Sequence, residues 1–382
     1  MTPSTPTYMV SVYGGFSIQV SINMLVTLFE FHLSWQDESL TMMFQGRNLM
    51  IKRNFALRIA VAAVGAVAAA SVFSACSQTV TPSTTESAAG GNKTIGIAVA
   101  DQKSLFYVAA VDGMEQAAEE AGYKLITLSA NNNSSQQVNQ VQDLITQQVG
   151  AIIFIAQDAT SAAAGVKLAN DAGIPIIAVD QKPESGDGKL ATYIATDSVK
   201  AAEELCTWLF DQIGGAGDLA ILQGPLGATA ELQRSEGCDK ALGNYPDINV
   251  VAMESANWDE TEAFTAAQNI LTANPNLKAF FGESDAMAMG AAKAAKQDGR
   301  EGLFFVGIDG FPTMFESVTS GLTQATMAQQ PYLMGQMSVQ NAVQIAEGNG
   351  ADVPELQYMD TVLVTKENVA DNDPTKFYGP DF

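Results

Sequence analysis

Aspartates, amides, an arginine and paired aromatics recur at one kind of place in this 382-residue chain, just after short apolar runs that read as strands. Asp101, Phe106 and Tyr107 follow the first such run, Gln157 and Asp158 another, and Asp180 the next. Ser284, Asp285 and Asp309 close later runs. Arg234 comes after the loop 224–229, Trp258 after the run 250–253 and Gln329 after 322–328. A rim of this composition suits a neutral polyhydroxylated ligand. Carboxylates accept from hydroxyls, a guanidinium donates to hydroxyl and ring oxygens, and aromatic faces cover the apolar C–H face of a sugar. Plainer roles stay open for single members. An aspartate after a strand often caps the next helix, as is open for Asp101, Asp158 and Asp285. Phe106 and Trp258 could be core residues, and Arg234 half of a surface ion pair.

The elements that must hold these residues alternate. The unit 94–122 runs from a continuous apolar strand through the loop Asp101–Tyr107 into a helix with Val108, Val111, Met114 and Ala118 at helical spacing. Gly122 ends it in a position suited to the left-handed C-terminal turn. Apolar runs at 125–128, 151–156 and 174–180 follow, each separated by a helical pattern, which predicts parallel sheet built by βαβ crossovers. The run 191–196 breaks the rhythm at Asp197, a helix N-cap candidate. After the turn 214–217 the scheme restarts with strands at 219–223, 250–253, 279–282 and 304–309. Two α/β lobes of similar build, joined near Thr196, are the expectation. The glycine-rich turn precedes a strand and so is no dinucleotide fingerprint.

The first 92 residues read as addressing sequence. Residues 50–75 combine a basic start (Lys52, Arg53, Arg58), a small-residue apolar core from Ile59 to Val72, and small residues before Cys76. That is the pattern of a secretory signal peptide. Ser74-Ala75-Cys76 is similar to a bacterial lipobox, with Phe73 where leucine is usual, so Cys76 is the expected lipidation site. Met50 is then the expected initiator, and 1–49 a non-native upstream extension without function. The Thr/Ser/Pro/Gly-rich 76–92 reads as a flexible tether, anchoring the body to the outer face of the cell membrane without spanning it.

Several chemistries drop out. The one histidine, His32, lies upstream of the expected cut, which leaves no histidine triad, metal site or acid–base pair in the body. The formal net charge of −23, with no basic cluster, argues against nucleic acid as a partner. A carboxylate-pair glycosidase built on Asp180 and Asp309 lacks a supporting nucleophile arrangement. No metal, cofactor or catalytic residue is expected, and no enzyme. Cys206 and Cys238 lack CxxC spacing; two buried thiols and a disulfide both remain open.

The segments Phe106-Tyr107…Asp112-Gly113, Ala169-Asn170…Ile174-Pro175…Asp180, Arg234-Ser235-Glu236-Gly237, Ser284-Asp285…Gly290, Val306…Gly310 and Ala328-Gln329-Gln330-Pro331 resemble the type I periplasmic sugar-binding proteins, the ribose-binding branch nearest. The resemblance spans Lys93 to Lys366. It implies two doubly wound parallel-sheet lobes, 93–196 plus 330–360 and 197–329 plus 361–382, joined by three hinge crossings near 196–197, 328–330 and 359–361. It also implies a monosaccharide, pentose or hexose such as ribose or fructose, held between the lobes of a monomeric receptor and delivered to an ABC permease. Carried over by segment, Phe106, Tyr107 and Trp258 would sandwich the ring, while Asp180, Arg234, Asp309 and Gln329 would bind its hydroxyls. Ser104 and Ser284 stand where ribose binders have asparagines, and Gln181 where they have arginine. Gln157, Asp158, Gln181 and Asp285 are secondary candidates. A sugar- or autoinducer-sensing protein of the same fold is the alternative. A lactose-repressor-type regulator would need a basic helix-turn-helix that this chain lacks.

Overall fold

The computed structural model describes residues 7–12, 16–21, 92–184 and 186–382. Strands β1 (Thr7–Val12) and β2 (Phe16–Ser21) pair as an antiparallel hairpin in a unit apart from the body. The stretch expected to be a signal peptide, Cys76 and nearly all of the expected tether lie outside the described residues. Among those described, no helix is long and apolar enough to cross a membrane.

The body begins at β3 (Thr94–Val99), whose Ile95, Ile97, Ala98 and Val99 are wholly buried. Burial on both faces is what a strand without polar alternation demands, and here helices cover a parallel sheet. Helix α1 (Leu105–Ala121) follows and stops at Gly122, φ 69°, as the sequence pattern predicts. The first sheet adds β4 (Lys124–Ser129), β5 (Ala151–Ile155), β6 (Ile176–Val179) and β7 (Thr192–Thr196), with β13 (Leu356–Met359) at its edge. Its order is β13-β7-β6-β5-β3-β4, and every pairing is parallel. The second sheet holds β8 (Ala216–Gln223), β9 (Asp247–Ser255), β10 (Leu277–Gly282), β11 (Phe304–Asp309), β12 (Ala325–Ala328) and β14 (Val362–Thr365). Its order is β14-β12-β11-β10-β8-β9, parallel except where β14 runs antiparallel to β12. Each lobe is therefore the doubly wound α/β layer that the alternating pattern implies.

The chain passes between sheets in three short steps. Thr196 ends β7 and Ser198 begins a helix of the second lobe, Ser198–Gln212. Asp197 caps it, accepting from Lys200 N at 3.1 Å. Ala328 ends β12, and Pro331 opens the helix Pro331–Ala346, which lies against α1. That contact is close because both helices present glycine. A Cβ on Gly113 would fall 2.1 Å from the Tyr332 carbonyl oxygen, and one on Gly335 2.0 Å from that of Ala110. The third step joins β13 to β14.

The C-terminal segment touches both lobes. The short helix Thr375–Tyr378 lies against α1 and Pro331–Ala346 of the first lobe. Its buried Phe377 and Tyr378 meet Phe315 and Phe311 of the second lobe, with ring centroids 6.0 and 5.7 Å apart.

Cys206, on the helix Ser198–Gln212, and Cys238, on the helix Thr229–Leu242, form a disulfide. It links positions 32 residues apart inside the second lobe. Closing a loop of that length restricts the unfolded chain, which corresponds to about 3–4 kcal/mol. The double variant C206A/C238A is expected to unfold at a correspondingly lower urea concentration, and a reductant should shift the wild-type midpoint but not the variant's.

Candidate functional site

Strand ends bring the chemistry-bearing residues to one place. Between the lobes lies a tight cavity of about 30 Å³. The first lobe contributes Ser104, Phe106 and Tyr107 from the start of α1, and Asp180 and Gln181 from the end of β6. The second contributes Arg234, Trp258, Ser284, Asp309 and Phe311, and Gln329 comes from a hinge crossing. All nine primary sequence candidates line this one chamber.

Its aromatic wall is fixed by packing. Phe106 and Tyr107 meet edge-to-face at 5.8 Å. Trp258 enters from the opposite lobe with φ 62°, directly after Asn257 at φ 52°. A bulky residue in the left-handed region costs on the order of 1–3 kcal/mol, so surrounding contacts must hold it there. Gly224 supplies the room, since a Cβ there would lie 2.1 Å from the Trp258 ring. The Arg234 guanidinium covers the same ring, 5.3 Å from its centroid.

Polar groups form one connected set. Arg234 is 4 % exposed; it donates to the Glu283 carbonyl and lies 3.6 Å from Asp309 Oδ1. Gln329 Nε2 donates to that same Asp309 oxygen at 2.9 Å, while Thr196 Oγ1 donates to Gln329 Oε1 at 2.6 Å. Two hinge crossings and a site carboxylate are thus tied through one amide. Tyr378 Oη donates to the Asp309 carbonyl at 3.0 Å. Asp180 also sits in the left-handed region, φ 57°, its carbonyl held by Tyr193 Oη at 2.8 Å. Arg234 Nε has no partner in the protein, a buried donor left for a ligand.

Burial governs the protonation of these groups. Desolvation raises the Asp180 carboxyl to about 6, against the pull of Arg234 and the polar groups of Gln181 and Tyr107. Asp309 is raised well above the carboxylate range, chiefly by desolvation, with Arg234 opposing and Asp285 and Asp180 adding repulsion.

The secondary candidates divide. Gln181 lines the chamber. Gln157 lies outside it, at the cleft mouth, with its N–H bound to Gln137 Oε1 at 2.8 Å. Asp158 caps the helix Ala159–Asp171, accepting from Ser161 N at 2.7 Å. Asp285 is wholly buried and accepts from the N–H groups of Gly310 and Phe311 at 2.7 and 2.8 Å, which shapes the loop carrying Phe311. Asp101 likewise accepts from Lys103 N and Ser104 N, at 2.7 and 3.1 Å. Of these three aspartates only Asp158 is the N-cap of the helix that follows it; Asp101 and Asp285 accept from backbone N–H groups of loops, and Asp285 Oδ1 stays buried without a partner.

Two further residues shape the site. Phe311 lines it directly, and its place two residues beyond Asp309 at a strand end is the signal that points to it. Glu283 is wholly buried behind it, accepting from Gly224 N at 2.9 Å and Ser235 Oγ at 2.7 Å. Desolvation raises its carboxyl to about 8 despite those bonds. Glu283 thereby fixes Gly224, the residue under Trp258, while its carbonyl holds Arg234.

Comparison with known proteins agrees with this geometry. Residues 95–350 match the family described as a periplasmic binding protein domain. The ribose import binding protein of Bacillus subtilis is 34% identical over 263 residues, 68% of this chain and 84% of that protein. A xylitol-binding protein of Mycolicibacterium smegmatis is 36% identical over 278 residues, 72% of this chain and 78% of that protein. Among solved structures, an ABC transporter periplasmic solute binding protein from Actinobacillus succinogenes with bound D-allose superimposes with a TM-score of 0.69. It is 31% identical, over 73% of this chain and 99% of its own.

Two outcomes follow from this packing. Asp180 and Glu283 have folded-state values raised above their ordinary ones, so the folded protein binds those protons more tightly than the unfolded chain. Their penalty is full above about pH 6 and 8 respectively, and is relieved as pH falls toward 4. The ligand-free protein is therefore expected to gain stability on acidification from pH 8 to 5, by at most about 1.4 kcal/mol per pH unit per group. Relative to wild type, the rise of the urea midpoint on acidification should be shallower below pH 6 in D180N and shallower across the whole of pH 8 to 5 in E283Q. Separately, Gly224→Ala should displace Trp258 and red-shift tryptophan emission; an unchanged spectrum would contradict the packing described.

Proposed function

The chain belongs to the periplasmic binding protein family, and from that premise we propose that it is the sugar-capturing receptor of an ABC importer. Family members are substrate-binding proteins, not enzymes. The ligand class is a monosaccharide, pentose or hexose, or the polyol of one. The observation that carries this reading is the chamber itself. It combines aromatic faces from both lobes with an Arg234 donor that no protein group satisfies and two carboxylates turned into the same space.

Each side chain then has a job that its chemistry suits. Phe106, Tyr107 and Trp258 cover the apolar faces of the ligand. Arg234 donates to hydroxyl or ring oxygens, and Asp180 and Asp309 accept from hydroxyls. Gln329 holds Asp309 in register and couples it to the hinge. Ser104 and Ser284, shorter than asparagine, suit a ring or chain other than ribose itself. The xylitol and D-allose in the relatives' names are of that kind. Neighbouring chemistry completes the picture. The closed receptor docks on a membrane permease, and Cys76 carries the lipid that keeps it at the outer face of the membrane. Affinity for the closed form above the open one supplies the signal.

Calorimetric titration of the protein with ribose, xylose, arabinose, fructose, allose, glucose, galactose and xylitol tests the reading. One or a few are expected to saturate it, with a tryptophan emission change muted in Trp258→Phe. Arg234→Met should weaken binding at least tenfold, since bonds to charged groups contribute about 1.5–3 kcal/mol. Silence across the whole panel would sink the sugar assignment.

A further inference from the structure

The helix Thr229–Leu242 begins without a cap of its own. Its N-cap residue, Ala228, has no side chain able to accept, although the first turns of helices carry backbone N–H groups that need partners. Ala228 and Ala230 are both buried, so water is a poor substitute. The partners come from the opposite lobe. Gln181 Oε1, just past β6, accepts from Ala230 N at 3.3 Å. Beside it the Lys182 backbone and the Thr229 hydroxyl bond reciprocally. Lys182 N donates to Thr229 Oγ1 at 3.1 Å, and Thr229 Oγ1 donates to Lys182 O at 2.9 Å.

We propose that this helix is capped across the cleft. Gln181, Lys182 and Thr229 form a clasp that exists only when the lobes are together, and it holds ligand-free protein partly closed and slows ligand release. Three features carry the inference. The contacts join residues of different lobes directly. The side-chain acceptor is the amide oxygen of Gln181, and it serves a helix N-terminus that has no capping side chain of its own. Thr229 does not line the ligand chamber, so its bonds serve closure and not recognition. Opening the cleft would strip Ala230 N–H of its partner, which ties the stability of the first helical turn to the closed arrangement.

The expected size follows from ordinary hydrogen bonds. Each bond of this kind shifts an equilibrium by roughly fivefold, so deleting the two made by Thr229 should move the closed-to-open ratio by roughly 25-fold. Gln181 and Thr229 are positioning residues in this account. The inference rests on the receptor reading only for the purpose that closure serves.

Small-angle scattering and hydrogen exchange on the ligand-free full chain provide the test, with Thr229→Val removing the hydroxyl and Thr229→Ser keeping it. Expected are a larger radius of gyration and faster exchange at residues 229–231 in the valine variant, with the serine variant matching wild type. Stopped-flow release of D-ribose or xylitol should be faster in the valine variant by the same order. Identical scattering and exchange for wild type and Thr229→Val would overturn the clasp, as would a serine variant that behaves like valine, because the loss would then be one of packing. Failure to bind any sugar would count against the receptor reading alone, since the scattering and exchange measurements need no ligand.

Discussion

Arg234 is the constraint around which the chamber is arranged. A guanidinium taken out of water is costly unless charge and hydrogen bonds replace its hydration, and removing one partner of such a set typically costs 3–5 kcal/mol. Around Arg234 that replacement is incomplete by design of the site: a carbonyl from Glu283, a carboxylate at 3.6 Å, an indole face, and one donor nitrogen unanswered. Among the described residues, the chamber lining holds two carboxylates against this one cation. Desolvation therefore outweighs attraction at Asp180 and Asp309, and both are raised. Hydroxyl groups relieve such a set on both sides at once. They can donate to the carboxylates and accept from the free Nε–H, which a hydrocarbon or a simple anion cannot do together.

The same constraint explains why the hinge runs through the site. Asp309 is held on its side chain by Gln329 and on its carbonyl by Tyr378, and Gln329 is held by Thr196. Any rotation of the lobes that moves β7 against β12 must strain or release the chain Thr196–Gln329–Asp309. Ligand hydroxyls that pull on Asp309 therefore act on two of the three crossings through two hydrogen bonds. Coupling between binding and closure needs no longer path than this.

What the sequence disclosed is set by the range of the interactions involved. Apolar runs such as 94–99 and 304–309 are strands because burial on both faces tolerates no polar alternation, and that is a local property. The aspartates were ambiguous singly for the same reason. Asp158 and Asp180 both follow strands, yet Asp158 meets a backbone N–H three residues on, while Asp180 faces Arg234 on the other lobe. Family resemblance separated them, since local pattern could not. Glu283 and Phe311 escaped notice because their roles are defined by partners 59 residues away at Gly224 and by the far wall of the chamber. The bridging of both lobes by the helix Thr375–Tyr378, and the choice of a disulfide over two thiols at Cys206 and Cys238, are likewise long-range outcomes.

The departures from the ribose-binding pattern also read differently once placed in space. Ser104 and Ser284 shorten the walls of the chamber, which changes the shape of the ligand admitted. Gln181 does something else. It lines the chamber, yet its amide oxygen reaches the opposite helix and accepts from Ala230. Selectivity in such a receptor therefore draws on two sources that meet at Gln181: the chamber lining decides which hydroxyls are satisfied, and the lobe-to-lobe bonds decide how much satisfaction closure requires. A ligand offering fewer bonds can be retained when the lobes contribute some of their own, which fits a chamber whose polar wall has been trimmed.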